Sequence, residues 1–197
     1  MTGKAGRVPE SSAVTESARL RRHDPGRRER LIDVAISVIA EHGVTGTTHR
    51  RVAAAADVPL GSMTYHFVGM DDLLQAAFTR LATRTADVFD DALSSAGSRA
   101  DAAEAVVGLI AGPTLNEPET ILANLELYAL AARRPEFRTI TDAWMVRSRD
   151  ALHGHFDTET ALMLDALIEG TTLHRALSLD PMPVSTVRAA VGRIIRP

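Results

Sequence analysis

Apolar residues recur along this chain at spacings of three and four, the period of helices that each bury one face. The first clear stripe is Leu31, Val34, Ala35, Val38 and Ile39, which predicts a helix from Asp24 or Pro25 to about His42, stopped by Gly43. A shorter helix follows over 49–56, where Val52, Ala53 and Ala56 make a narrow face of small residues. Thr48 stands just ahead of it, its hydroxyl suited to the free N–H groups of the first turn. Asp57-Val58-Pro59 breaks this helix. Asp tolerates a left-handed backbone, and Pro59 can open the next helix because no N–H is needed there. A third short helix is predicted over 60–67, with Met63 and Phe67, four apart, turned to the core.

From Asp71 a long helix runs to about Leu93, with Leu74, Phe78, Leu81 and Val88 inward and Asp71 and Asp72 at its positive end. Further helices are predicted at about 101–111, 118–133, 135–155, 158–179 and 184–195. Gly112-Pro113, Pro135, the Asp157 region and Asp180-Pro181-Met182-Pro183 separate them. The total is about nine helices with no strand pattern, an all-α fold. Residues 1–24 lack periodicity and read as a flexible arm. Its Arg19, Arg21 and Arg22 either reach phosphates and a minor groove or are simply solvated. The division that follows is an arm over 1–24, a three-helix head over 25–70 and a helical body over 71–197.

Helix, tight turn, short helix, aromatic lock and third helix, in that order, form a device for laying one helix in the major groove of DNA. The residues Thr48, Val52, Ala53, Ala56, Val58, Pro59, Gly61, Tyr65 and Phe67 follow a helix ending in Glu41-His42-Gly43 and precede an acidic-capped helix. Over roughly 25–78 this pattern resembles the DNA-binding domain of TetR-type transcriptional regulators. Two positions depart from the family's pattern: Asp57 replaces the usual glycine, and Met70 the usual lysine, whose role is a phosphate contact. The resemblance implies a dimer joined through the last two long helices and a small molecule bound within the body.

On DNA, Thr48 and Tyr65 are the candidates for phosphate hydrogen bonds, which fix register without reading sequence. Arg50 adds a charged phosphate contact or reaches a guanine edge. Leu60, Gly61, Ser62 and Thr64 face the groove and read thymine methyls and base edges. His66 is either a phosphate donor or a side chain packed on the neighbouring helix, and His49 reads as structural. Arg27, Arg28 and Arg30 sit where the helix dipole disfavours cations, which points to an external partner such as phosphate.

The net charge of −3 hides an asymmetry: residues 1–67 hold ten Lys/Arg against seven Asp/Glu, and the rest twelve against eighteen. A basic head on an acidic body suits a DNA reader with a separate second domain. No cysteine is present, which excludes disulfides, thiolate metal sites and a cysteine nucleophile. The apolar runs fall short of a membrane span and no signal core is seen, so the expected location is the cytoplasm.

Apolar residues surround the helix over 158–179 almost completely: Leu162, Met163, Leu164, Leu167, Ile168, Leu173 and Leu177. Such a helix needs cover on every side. A second subunit would supply it, with Gly170 allowing close approach and the stripe Val184, Val187, Val191, Ile194 of the last helix completing a four-helix interface. Candidates for contact with a small-molecule effector are polar groups beside apolar stripes: Leu122, Leu125 and Glu126; Trp144 and Ser148; Asp165, Glu169 and Thr172. Glu126 would receive a cationic or hydroxylated ligand, pair with Arg133 or point to water; Trp144 is a pocket wall or plain core. No cofactor or metal site is expected, because His153 and His155 are two apart on a helix and diverge. No catalytic signature is present, so a regulator and not an enzyme is expected. The alternative, a helical partner-binding or scaffold protein, predicts no salt-sensitive affinity for duplex DNA.

Overall fold

Each apolar stripe forms a helix in the computed structural model, which describes residues 25–196. Among the described residues there are nine α-helices, two short 3-10 turns and no strand. The helices are α1 (Arg27–Gly46), α2 (His49–Ala55), α3 (Gly61–His66), α4 (Gly69–Ser94), α5 (Arg99–Ala111), α6 (Pro118–Arg133), α7 (Arg138–His153), α8 (Thr158–Leu177) and α9 (Val184–Ile194). The predicted arm over 1–24, with Arg19, Arg21 and Arg22, lies outside the described residues.

Local chemistry sets the ends of the elements. Regular α1 stops at Gly43, whose φ of 68° and ψ of 170° break the helix, and a single turn continues to Gly46. Thr48 caps α2, its side chain accepting from the Arg51 N–H at 3.2 Å. Asp57 takes the left-handed conformation the turn requires, with φ of 51°. Asp72 reaches back to accept from the Val68 N–H at 2.8 Å, closing the turn between α3 and α4. The single helix expected over 135–155 is split: Pro135–Phe137 forms a 3-10 turn before α7 begins at Arg138. Pro135 has no N–H to donate, which permits a helix start and prevents continuation from α6.

The core has two parts. The first joins the head to the body: Leu31, Ile39, Val52, Met63, Phe67 and Phe78 pack with Ala123 and Leu127 of α6 and Phe137 beyond it. It runs unbroken across residue 70. The second lies at the far end of α4, where Phe89, Val106, Ile110, Leu164 and Ile168 meet Leu152. Long α4 contributes to both, and α6 lies along α1.

The stripe of the last helix behaves differently from its sequence reading. Val187 and Val191 are buried within the second core of their own protomer, where α9 packs on α5. Helix α8 keeps both characters: Ala161, Leu164 and Ile168 are buried, while Leu162, Met163 and Leu177 remain exposed.

Candidate functional site

Two regions gather the chemistry. The first is the outer face of α3. Met63 and Phe67 anchor the helix from behind, both essentially fully buried. Leu60, Gly61, Thr64 and Tyr65 face outward, Tyr65 with 84% of its surface exposed, and Ser62 and His66 are half-buried. A Cβ added at Gly61 would meet nothing within 4 Å, so the surface is low and open there. Thr64 donates its hydroxyl to the Gly61 carbonyl at 3.2 Å and remains exposed at the surface. Thr48 accepts at its cap and keeps a hydroxyl hydrogen to donate to a phosphate. Arg50 is exposed beside it.

The neighbouring cations are arranged around this face. Arg28 lies over the Phe67 ring at 5.3 Å, and Arg51 is held by the Gly46 carbonyl. Burial lowers the His66 pKa, and the positive charges of Arg27 and Arg28 lower it further. Its ring also meets Tyr65 edge-on at 4.8 Å. His49 is half-buried, with Nε2 buried and no hydrogen-bond partner within the described residues. Met70, at the family's lysine position, is half-buried and packs against the first core.

The second region is a narrow cavity of about 40 Å³ bounded by α4, α6, α7 and α8. Thr85 and Phe89 come from α4; Ile121, Asn124, Leu125 and Tyr128 from α6; Trp144 from α7; and Ile168, Glu169, Thr172 and Leu173 from α8, with Leu115 at one end. Tyr128 and Trp144 stack face to face, centroids 5.7 Å apart and planes 3° from parallel. The Tyr128 hydroxyl donates to Glu169 Oε1 at 2.7 Å. Asn124 Oδ1 and Thr172 Oγ1 are buried without hydrogen-bond partners among the described residues. Solvent reaches one side of Glu169, yet crowding by the surrounding helices raises its carboxyl pKa, with Asp165 reinforcing the rise and the Tyr128 hydrogen bond opposing it. Desolvation and the Glu169 charge likewise push the Tyr128 phenol well above its ordinary range.

Of the residues predicted to meet an effector, Leu125, Trp144, Glu169 and Thr172 line this cavity together. The other four sit elsewhere. Leu122 faces solvent, and Ser148 is buried with its hydroxyl unpartnered among the described residues. Asp165 pairs with Arg149 Nε at 2.8 Å. Glu126 leaves the cavity altogether: its carboxylate accepts from the Val44 N–H at 2.7 Å, at the break in α1. Tyr128 was missed by the sequence reading, although it lies three residues from Leu125 and so shares its helix face. His155 contacts the Leu93 carbonyl at 3.0 Å, and among the described residues no three His, Cys, Asp or Glu side chains gather as a metal site. No helix among them is long and apolar enough to cross a membrane.

Comparison with known proteins places this geometry. Residues 31–77 match the family model described as bacterial regulatory proteins, tetR family, and residues 97–197 match the tetracyclin repressor-like C-terminal domain. The chain is 46% identical to SCO7518 of Streptomyces coelicolor A3(2), assigned as a transcriptional regulator. That match covers 86% of this chain and 98% of the other, with a TM-score of 0.81. It is 34% identical to the multidrug binding protein EbrR in its complex with imidazole, over 88% of this chain and 97% of that one, with a TM-score of 0.71. EbrR has also been solved with malachite green, proflavin and ethidium. The regulator BetI of Rhizobium meliloti (strain 1021) is 27% identical over 82% of this chain and 83% of its own length.

Proposed function

The chain belongs to the TetR family of DNA-binding transcriptional regulators, and from that premise we propose a dimeric repressor released from a near-palindromic operator by a small organic effector in the cavity. The observation that carries the DNA reading is the two-sided character of α3: Met63 and Phe67 lock one side into the core while Leu60, Gly61, Thr64 and Tyr65 stand free on the other. Leu60, Gly61, Ser62 and Thr64 read base edges, and Thr48, Arg50, Tyr65 and His66 hold phosphates. The protein works in the cytoplasm, with its operator.

The dimer forms through α8, where Leu162, Met163 and Leu177 offer apolar surface to a second copy. A Cβ added at Gly170 meets nothing within 4 Å, so this part of the helix is open to close approach. Two copies of α3 about 34–36 Å apart then enter successive major grooves on one face of the duplex.

Release follows from how little room the cavity has. A ligand larger than one or two waters must part α6 from α7 and α8, because the cavity is only about 40 Å³. Helix α6 cannot move without moving the head, since Glu126 holds the Val44 N–H and Glu119 accepts from Ser37 Oγ at 2.8 Å. Arg134, just beyond α6, grips Asp71 at the start of α4 with bonds of 2.8 and 2.9 Å. The ligand thus favours a dimer whose recognition helices are wrongly spaced, an effect of about 1–3 kcal/mol or ~5- to 150-fold in operator affinity.

The test is selection of genomic fragments by the purified protein, followed by binding of the recovered duplex across a salt series. The expected product is a near-palindrome whose affinity falls steeply with salt. No enrichment together with salt-insensitive binding would favour the helical scaffold reading instead.

A further inference from the structure

We infer that the cavity takes an organic cation with a flat aromatic body and N–H donors, held by the Glu169 carboxylate and walled by the Tyr128–Trp144 stack. This rests on reading the cavity as the effector site and goes on to name its ligand class.

Glu169 and Asp165 lie one turn apart on α8, but only Asp165 has a cation: Arg149 Nε, 2.8 Å away. Glu169 receives the neutral Tyr128 hydroxyl, and no Arg, Lys or His pairs with it among the described residues. Its cavity side is shared with Phe89, Leu125 and Ile168. Glu169 is open to solvent on one side, and on the side that faces this apolar wall its carboxylate lacks a counter-ion, which a bound cation supplies. An anionic ligand would add repulsion from Glu169, and a neutral one would leave the charge uncompensated.

The remaining polar groups agree. Asn124 Oδ1 is an acceptor, Thr172 Oγ1 can accept, and both are buried without partners among the described residues. With an ionised Glu169 and the Asn124 oxygen, the cavity therefore offers acceptors to a ligand's donors, and the Thr172 hydroxyl serves in either role. The stacked rings of Tyr128 and Trp144 supply a flat wall whose faces attract positive charge. Because the Tyr128 hydroxyl is bonded to Glu169, carboxylate and ring are fixed side by side, and one cation can use both.

Trp144 is the only tryptophan in the chain, so its fluorescence reports directly on this cavity. The experiment titrates DNA-free protein with proflavin, a ring cation with two amino groups, and with acridine, the same ring neutral and without them, near neutral pH. The expected result is a proflavin Kd lower by about tenfold or more. Glu169→Gln, an isosteric change, should abolish most of that preference, and Glu169→Asp should retain part of it. Circular dichroism verifies that each variant is folded. Equal binding of the two rings, a preference that survives Glu169→Gln, or no binding by either would overturn the inference. The operator selection uses no ligand, so a chain that enriches an operator yet shows no cation preference loses this inference and keeps its function.

Discussion

Thr48 and Tyr65 put a hydroxyl group to different uses. The Thr48 oxygen is already an acceptor at the α2 cap, while the Tyr65 hydroxyl projects from the surface with no hydrogen-bond partner among the described residues. Tyr65→Phe is expected to weaken operator and random duplex alike by about 0.5–1.5 kcal/mol, without altering the salt slope, because a neutral donor is lost. Arg50→Ala should instead reduce the magnitude of that slope by about 0.9 if Arg50 meets one phosphate. Fluorescence anisotropy across a salt series checks both, and a changed sequence preference in Tyr65→Phe would mean that Tyr65 touches bases. Glu169 gives a pH prediction. A carboxyl with a raised folded pKa favours folding when protonated, so its contribution is complete below the ordinary glutamate range and lost as pH rises through the raised value. The melting temperature of ligand-free protein should therefore fall over that interval more in wild type than in Glu169→Gln. Identical profiles would contradict the assignment.

Between elements, the telling contact is one no local pattern announces. Glu126 sits at the edge of an apolar stripe and reads from sequence as a ligand contact, yet it spans 82 residues to bond the Val44 N–H. The helices themselves were legible because stripes, caps and breakers act within a few residues: Thr48, Asp57 and Gly43 each do what their chemistry implies, while α3 begins at Gly61, two residues beyond Pro59. Contacts between distant helices depend on how faces are brought together, which explains why Leu125 and Glu169 could be picked as neighbours of a stripe but Tyr128 and Asn124 were missed. Val187 and Val191 illustrate the same limit, since an apolar stripe does not say whether its cover comes from its own protomer. Glu126→Gln should weaken the hold of α6 on the α1 break. We expect proflavin binding to stay within about twofold of wild type while the ligand-induced loss of operator affinity shrinks toward zero. Equal ligand response in wild type and variant would remove Glu126 from the coupling. Gly43→Ala tests the same joint from the other side: its φ of 68° is strained for alanine, and an added Cβ would lie 3.2 Å from Glu126 Oε1. A cost of about 1–2 kcal/mol in chemical denaturation is expected.

For the whole molecule, function depends on two heads held at one spacing. Gly170→Leu raises helix propensity, and a Cβ at this position meets nothing within 4 Å among the described residues, so the fold should persist while the approach of a second copy is blocked. Sedimentation should show monomers with an unchanged circular dichroism spectrum, and operator affinity should fall to the weak, salt-dependent level of random DNA. A variant that stays dimeric would move the interface away from this part of α8. The absence of cysteine allows the spacing itself to be measured. With Val68→Cys as the sole thiol, at an exposed residue just beyond α3, a spin label beside each recognition helix reports their separation by pulsed electron resonance. The account predicts one inter-protomer distance that matches a recognition-helix spacing of about 34–36 Å on the operator. In DNA-free protein, proflavin should shift the distribution away from that value. No inter-protomer distance, or a distribution that proflavin leaves unchanged, would contradict a repressor controlled through its head spacing.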